Sequence, residues 1–332
     1  MRDAIVKSKA KLGKLPKNED FVNIFSKPNL NDKLNYIKDK FNLDFEDYDL
    51  RKIELEILKK FKSDISSFTK YLNGIDLSFY NSYVSKYEMN SLIDVIQSIF
   101  NGTINENYKF LKENPFSDIF KIKKDMNFSE LVNSLEHTKY YRVLKPFELS
   151  SNLKRENIMF LITNNLIKAY YRDVISICAK YKLKESKYLY DYIGIEIDLF
   201  NLETIYRLLR FYDIEKNEVF NYMIEGGKYI GTKELLKLSS LSYDEFISEI
   251  SNYTYFDIFI SNNNFEFISI ERNLNRYIIK LSKRYLSQSG SDILKIVSAI
   301  NIIYISFENL RRALEMNVEM TDNEKHILLS EV

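Results

Sequence analysis

The side chains best suited to chemistry are scarce in this chain. It holds two histidines, His137 and His326, and one cysteine, Cys178, too little material for a zinc site of His and Cys ligands. His137 falls beside Tyr140 on a predicted helix and reads as a packed or surface residue rather than a general base. No signature couples Cys178 to a histidine for nucleophilic catalysis. Neither a GxxxxGK(S/T) loop nor a GxGxxG turn after a strand occurs, so no backbone phosphate cradle is visible and nucleotide hydrolysis is not expected. Carboxylates do cluster at Asp44, Glu46, Asp47 and Asp49. Their oxygens would suit a hard cation and a magnesium-dependent helical enzyme, but one cluster without a second reads first as a solvated loop between helices. Lys121, Lys123 and Lys124 read in the same way, as a solvated face able to touch an acidic partner. The residues call for no catalytic group, cofactor, metal or small-molecule substrate.

The elements that would position any site are helices. Only 8 Gly and 4 Pro interrupt 332 residues, and both types punctuate strands and turns, so long helices are favoured. A chain of this length buries about three quarters of its unfolded surface. Its 45% hydrophobic and 29% charged content is that of a folded protein rather than a disordered one. Lys plus Arg number 48 against 47 Asp plus Glu, so no global field gathers nucleic acid or an anionic membrane. The lone Cys178 and the absence of an apolar N-terminal stretch point to a reducing cytoplasm. The most apolar run, Ile296 to Phe307, is 12 residues, short of the ~20 needed to span a bilayer.

Apolar residues recur at steps of three and four: Leu50, Ile53, Ile57, Phe61, Ile65 and Phe68 on one stripe, Met89, Leu92, Ile96 and Ile99 on the next. Further stripes run Leu202, Ile205, Leu209, Tyr212; Ile270, Leu274, Tyr277, Leu281; and Ile303, Phe307, Leu310, Leu314. Ser242 with Glu245 and Thr321 with Glu324 have capping-box spacing, while Asn101-Gly102 and Gly226-Gly227 stand as stop signals.

The stripes belong to a repeat. LEHTKYYRVL from Leu135 aligns without gaps on ISNYTYFDIF from Ile250, an offset of 115 that matches Tyr140 with Tyr255 and persists through Leu166 and Leu281, then Tyr170 and Tyr285. IDLFNLETIY from Ile197 resembles ISFENLRRAL from Ile305 at an offset of 108, and YEMNSL places Glu88, Ser91 and Leu92 110 residues before Asp198, Asn201 and Leu202. Three modules of about 110 residues follow, with boundaries expected at 1–112, 113–228 and 229–332. Each carries a form of acid-x-x-Asn-Leu, with Ser91 for Asn in the first and Ser306 for the acid in the third. In one reading the Leu packs in each core while acid and amide bond orphan backbone donors near a helix start. In the other, the three copies surround a pseudo-threefold axis and their equivalent faces form a rim that holds a partner. That rim would comprise Glu88, Ser91, Asp198, Asn201, Arg207, Arg210, Asn309 and Arg311.

The stretch NLETIYRLLRFYDIEKNEVFNYMIEGGKYIG, Asn201 to Gly231, resembles the central signature of the C subunit of V-type and archaeal-type rotary ATPases, whose eukaryotic counterpart is the d subunit. Asp198, Asn201, Leu202, Arg207, Arg210, Gly226 and Gly227 match it in order. VKSKAKLGKLPKNEDF resembles the family's opening helix, YEMNSL its first repeat and SFENLRRAL its last. Glu225 stands where the family often has Pro, and Ile303 with Tyr304 where a Lys-acid pair is common. The resemblance implies an all-α funnel of three pseudo-equivalent helical-bundle modules without catalytic residues. It also implies partners: the central shaft subunits, and the membrane proteolipid ring on whose cytoplasmic side the protein would sit. A generic helical-repeat scaffold of an unrelated complex is the alternative.

Overall fold

Steps of three and four put apolar side chains on one face of a helix, and helices are what this chain forms. The structure is a computed structural model that describes residues 2–41, 43, 49–149, 155–212, 214–259 and 267–315. No strand occurs among them. The chain divides into two compact units, one built from Met1–Phe41 with Cys178–Val332 and the other from Asn42–Ile177.

It opens with α1 (Arg2–Leu12), α2 (Asn18–Phe25) and α3 (Leu30–Phe41). The inserted unit runs through α4 (Leu50–Ser66), α5 (Gly74–Phe100), α6 (Ile104–Glu113), α7 (Phe128–Ser134), α8 (Tyr141–Leu144) and α9 (Arg155–Cys178). The first unit then resumes with α10 (Leu183–Phe211), α11 (Lys216–Val219), α12 (Thr232–Ser239), α13 (Tyr243–Ile250), α14 (Phe256–Phe259), α15 (Phe267–Gln288) and α16 (Asp292–Glu315).

In the first unit α15 and α16 form a hairpin, and α1, α2 and α3 all pack on α16. Residues from both ends of the sequence therefore share one core. The span Asp292–Leu314 is long and apolar enough, by length and composition, to cross a membrane, although its longest unbroken apolar run is shorter. Its apolarity has a packing cause: Ile293, Ile296, Val297, Ile300, Ile303 and Leu310 are fully or almost fully buried against those helices, and a helix apolar all round is the expected core of such a bundle.

In the inserted unit α6 packs on α4 and α5, and α7 on α5. The stripe on α4 is buried from Ile53 to Phe68, while Leu50 is exposed in the first turn. Asp49, the described member of the carboxylate cluster, caps α4 by accepting a hydrogen bond from the Arg51 amide at 2.9 Å. Asp44, Glu46 and Asp47 lie outside the described residues, as do His326 and the Thr321–Glu324 pair. Ser242 and Glu245 make their capping box. Gly102 ends α5 at φ 73°, the left-handed conformation that favours glycine. Gly226-Gly227 does not itself end a helix: α11 runs on into a 3-10 turn that ends at Tyr222, and the glycines lie farther along the following loop, whose place is fixed by contact with the middle of α10.

Candidate functional site

Asp198 sits at the middle of α10 and is fully buried. Its Oδ2 accepts hydrogen bonds from the Lys228 amide (3.1 Å), the Tyr229 amide (2.8 Å) and the Tyr255 hydroxyl (2.8 Å), and its Oδ1 accepts from the Ile230 amide at 3.2 Å. One turn on, Asn201 clamps Ile224 from both sides, donating to its carbonyl at 2.7 Å and accepting from its amide at 2.8 Å. One turn back, the Gly194 carbonyl also accepts from the Lys228 amide, at 3.1 Å. Residues 224–230 are thus laced along α10 by two side chains and one carbonyl.

Glycine is needed at three points of this lacing. Gly226 has φ 104°, which side chains rarely adopt. A Cβ on Gly227 would lie 2.0 Å from Asp198 Oδ1, and one on Gly194 would lie 2.9 Å from the Lys228 nitrogen. Lys228 also forms an ion pair with Asp191 on α10. Burial raises the Asp198 carboxyl above the ordinary carboxylate value, against the pull of its hydrogen bonds, and burial together with the neighbouring carboxylate pushes Tyr255 far up, so this phenol keeps its proton.

The inserted unit repeats the device. On α5 Glu88 accepts from the Tyr140 hydroxyl at 2.6 Å, and Ser91 shares a hydrogen bond with Ser117 at 2.6 Å. The acid holds the matched tyrosine, 52 residues later here and 57 in the other copy. The residue three positions after the acid ties down a segment that lies beyond the next helix, at Ser117 after α6 and at Ile224 after α11. Tyr140, like Tyr255, is pushed far above its ordinary value by burial and by its carboxylate. At the third copy of the motif, on α16, Asn309 and Ser306 are buried, and the Ser306 hydroxyl has no hydrogen-bond partner among the described residues.

The expected rim residues therefore divide. Ser91, Asp198, Asn201 and Asn309 have interior side chains, and Glu88 is partly buried. Arg207 and Arg210 are exposed near the end of α10; Arg207 lies 3.6 Å from Glu203 and Arg210 stacks over Tyr243 with its guanidinium 5.1 Å from the ring centre. Arg311 pairs with Glu308 at 3.0 Å on α16. Ile303 is buried, and Glu225 is exposed beside the glycines.

Cys178 is buried and its thiol is pushed up to about 12 by burial, which leaves it protonated and unreactive near neutrality. His137 is exposed beside Tyr140. The acid-to-tyrosine pairing is not evident from the sequence because its partners lie more than fifty residues apart. An isolated glycine within a helix, as at Gly194, is the one local signal of a close backbone approach.

Comparison with known proteins gives the chain a family. The family model described as ATP synthase (C/AC39) subunit matches residues 4–320. The chain is 26% identical over 231 residues to the C subunit of the A-type ATP synthase of Methanosarcina mazei, covering 68% of this chain and 59% of that protein. It is 25% identical over 268 residues to the protein of the same name from Methanococcoides burtonii, covering 78% of this chain and 73% of the relative. Against that from Archaeoglobus fulgidus it is 29% identical over 199 residues, covering 58% and 54%. The chain thus spans about three fifths of the length of the Methanosarcina mazei relative.

Proposed function

The chain belongs to the ATP synthase (C/AC39) subunit family, and from that premise we propose that it is a non-catalytic coupling subunit of a V-type or archaeal-type rotary ATPase. It joins the central shaft to the membrane proteolipid ring, from the cytoplasmic face, so that torque links ATP turnover to ion movement. The observation that carries this reading is the family match running from residue 4 to residue 320, across both compact units and through both acid–tyrosine clasps. The proposal includes three modules, 1–112, 113–228 and 229–332, arranged as a funnel.

A part that transmits torque must resist shear, and the local construction suits that demand. Close-packed interiors are poorly compressible, and buried, fully satisfied polar networks fix one arrangement of the segments they join. The Asp198 and Asn201 bonds couple a loop to a 29-residue helix at several points rather than one. Arg207 and Arg210, the exposed cations of the signature, are the members of the expected rim best placed to meet a partner.

The test is recovery of the tagged protein from its native membranes in mild detergent, with co-purifying chains identified by mass spectrometry. Shaft and proteolipid subunits are expected, and charge reversal of Arg207 together with Arg210 should reduce the recovery of one of them. An intact, folded protein that brings down neither would defeat the coupling role and leave a helical scaffold in an unrelated complex.

A further inference from the structure

The two clasps share the acid–tyrosine hydrogen bond but not their surroundings. Beside Tyr140 the inserted unit has a groove of about 490 Å³ between α5, the segment from Glu136 to Val143, and α9, a size in the range of small-molecule sites. Met89, Leu166 and Tyr170 supply apolar wall, and His137, Lys139, Arg142 and Arg172 line it with Glu136 and Asp173. At the offset of 115 the second copy has Asn252, Thr254, Asp257 and Ser287 for the four basic positions, and Ser251 and Gln288 for the two acids. There the clasp tyrosine is flanked by the rings of Tyr229 and Tyr277, centred 6.1 and 5.5 Å from its own. Every basic side chain of the groove is therefore peculiar to one copy, and the clasp itself does not need them.

No ion pair joins Arg142, Arg172, Glu136 or Asp173 to another described residue. Lys139 donates to Ser85 at 2.7 Å, which holds it at the groove wall. Cations thus outnumber carboxylates three to two, and both signs are left with unused hydrogen-bonding capacity. Guanidinium forks match phosphate oxygens in pairs, and carboxylates accept from hydroxyl groups. We infer that this groove binds a phosphate ester whose organic part carries hydroxyl groups, with Arg142 and Arg172 on the phosphate, Glu136 and Asp173 on the hydroxyls, and Met89 and Leu166 against the carbon skeleton.

Titration calorimetry of the full chain with glycerol phosphate and with inorganic phosphate tests the inference. Saturable binding is expected, tighter for the ester. R142Q combined with R172Q should weaken it roughly tenfold or more, the loss appropriate to charge-assisted hydrogen bonds. E136Q with D173N should reduce the preference for the ester over inorganic phosphate, and R207Q with R210Q should change neither affinity. All these positions are at the surface or groove, and circular dichroism checks that each variant stays folded. Sedimentation with phosphatidylglycerol vesicles that depends on the same two arginines would assign the ester to a lipid headgroup; binding of the free ester without sedimentation would assign a soluble metabolite. No saturable binding of either probe, or an equal response to both arginine pairs, overturns the site.

Discussion

Gly227 and Asp198 form the most tightly determined contact among the signature residues. A methyl group on Gly227 would meet the Asp198 carboxylate, itself held by four hydrogen bonds, so neither partner can move aside cheaply. Gly227→Ala should cost about 3 kcal/mol of stability or more. Gly102→Ala, which meets only open space at a positive φ, should cost about 1–2 kcal/mol. Urea unfolding of the two variants measures the contrast, and equal losses would mean the loop is not held against α10. Asp20 offers a second residue-scale test. It accepts from the Lys17 amide and the Tyr36 hydroxyl, each at 2.8 Å, and lies 3.3 Å from the Lys40 ammonium. Burial acts to raise its carboxyl, but these bonds and the ammonium outweigh it and hold the group below its ordinary value. Its stabilising contribution is then fully present above the ordinary carboxylate value and is lost as pH falls through the lowered one. The gap in urea midpoint between the native protein and Asp20→Asn should accordingly be widest near neutrality and close on the acid side. A gap that stays constant would contradict the assignment.

At the scale of elements, the clasps explain why a long helix and a tyrosine distant in sequence recur together. Each carboxylate at mid-helix, on α5 or α10, fixes the segment that returns after its own loop. A hydrogen bond to a charged group is worth about 1.5–3 kcal/mol, so Tyr140→Phe and Tyr255→Phe should each destabilise by about that amount. Their effects should be local, with Tyr140→Phe raising amide exchange in residues 136–144 and Tyr255→Phe raising it in 251–259 and in the 224–230 loop laced to the same carboxylate. Hydrogen exchange read by mass spectrometry resolves these segments. Exchange raised evenly along the chain by either variant would show that the clasps are not separate devices.

For the whole molecule, connectivity sets the expectation. The unit Asn42–Ile177 is one continuous segment inserted between parts of the other, and it holds its own buried stripes on α4 and α5 together with its own clasp. A fragment spanning residues 42–177 should fold alone and melt cooperatively by circular dichroism. Deleting residues 1–41 from the full chain should instead bare the faces of α16 that α1, α2 and α3 cover, and yield a protein prone to aggregate. A fragment that is helical but melts without a cooperative transition would mean that this unit needs the rest of the chain.

The helical class is legible in the order of the residues, because breakers are few and apolar steps of three and four recur. The repeat is legible too, because Tyr140 with Tyr255 and Glu88 with Asp198 keep near-constant spacing. These are local or self-similar patterns, readable without distances. What the repeated residues do was settled by folding. Asp198 and Asn201 are equally fit, as letters, to stand on a rim or to bond backbone donors; the fold buries both and sets them on the amides of residues 224–230. It likewise turns an apparent helix stop at Gly226-Gly227 into a loop pressed on α10, and it gathers the scattered charges of α9 and the 136–143 segment into one groove. Which polar side chain faces water and which faces a backbone depends on contacts between segments far apart in sequence, and those distances exist only once the chain has folded.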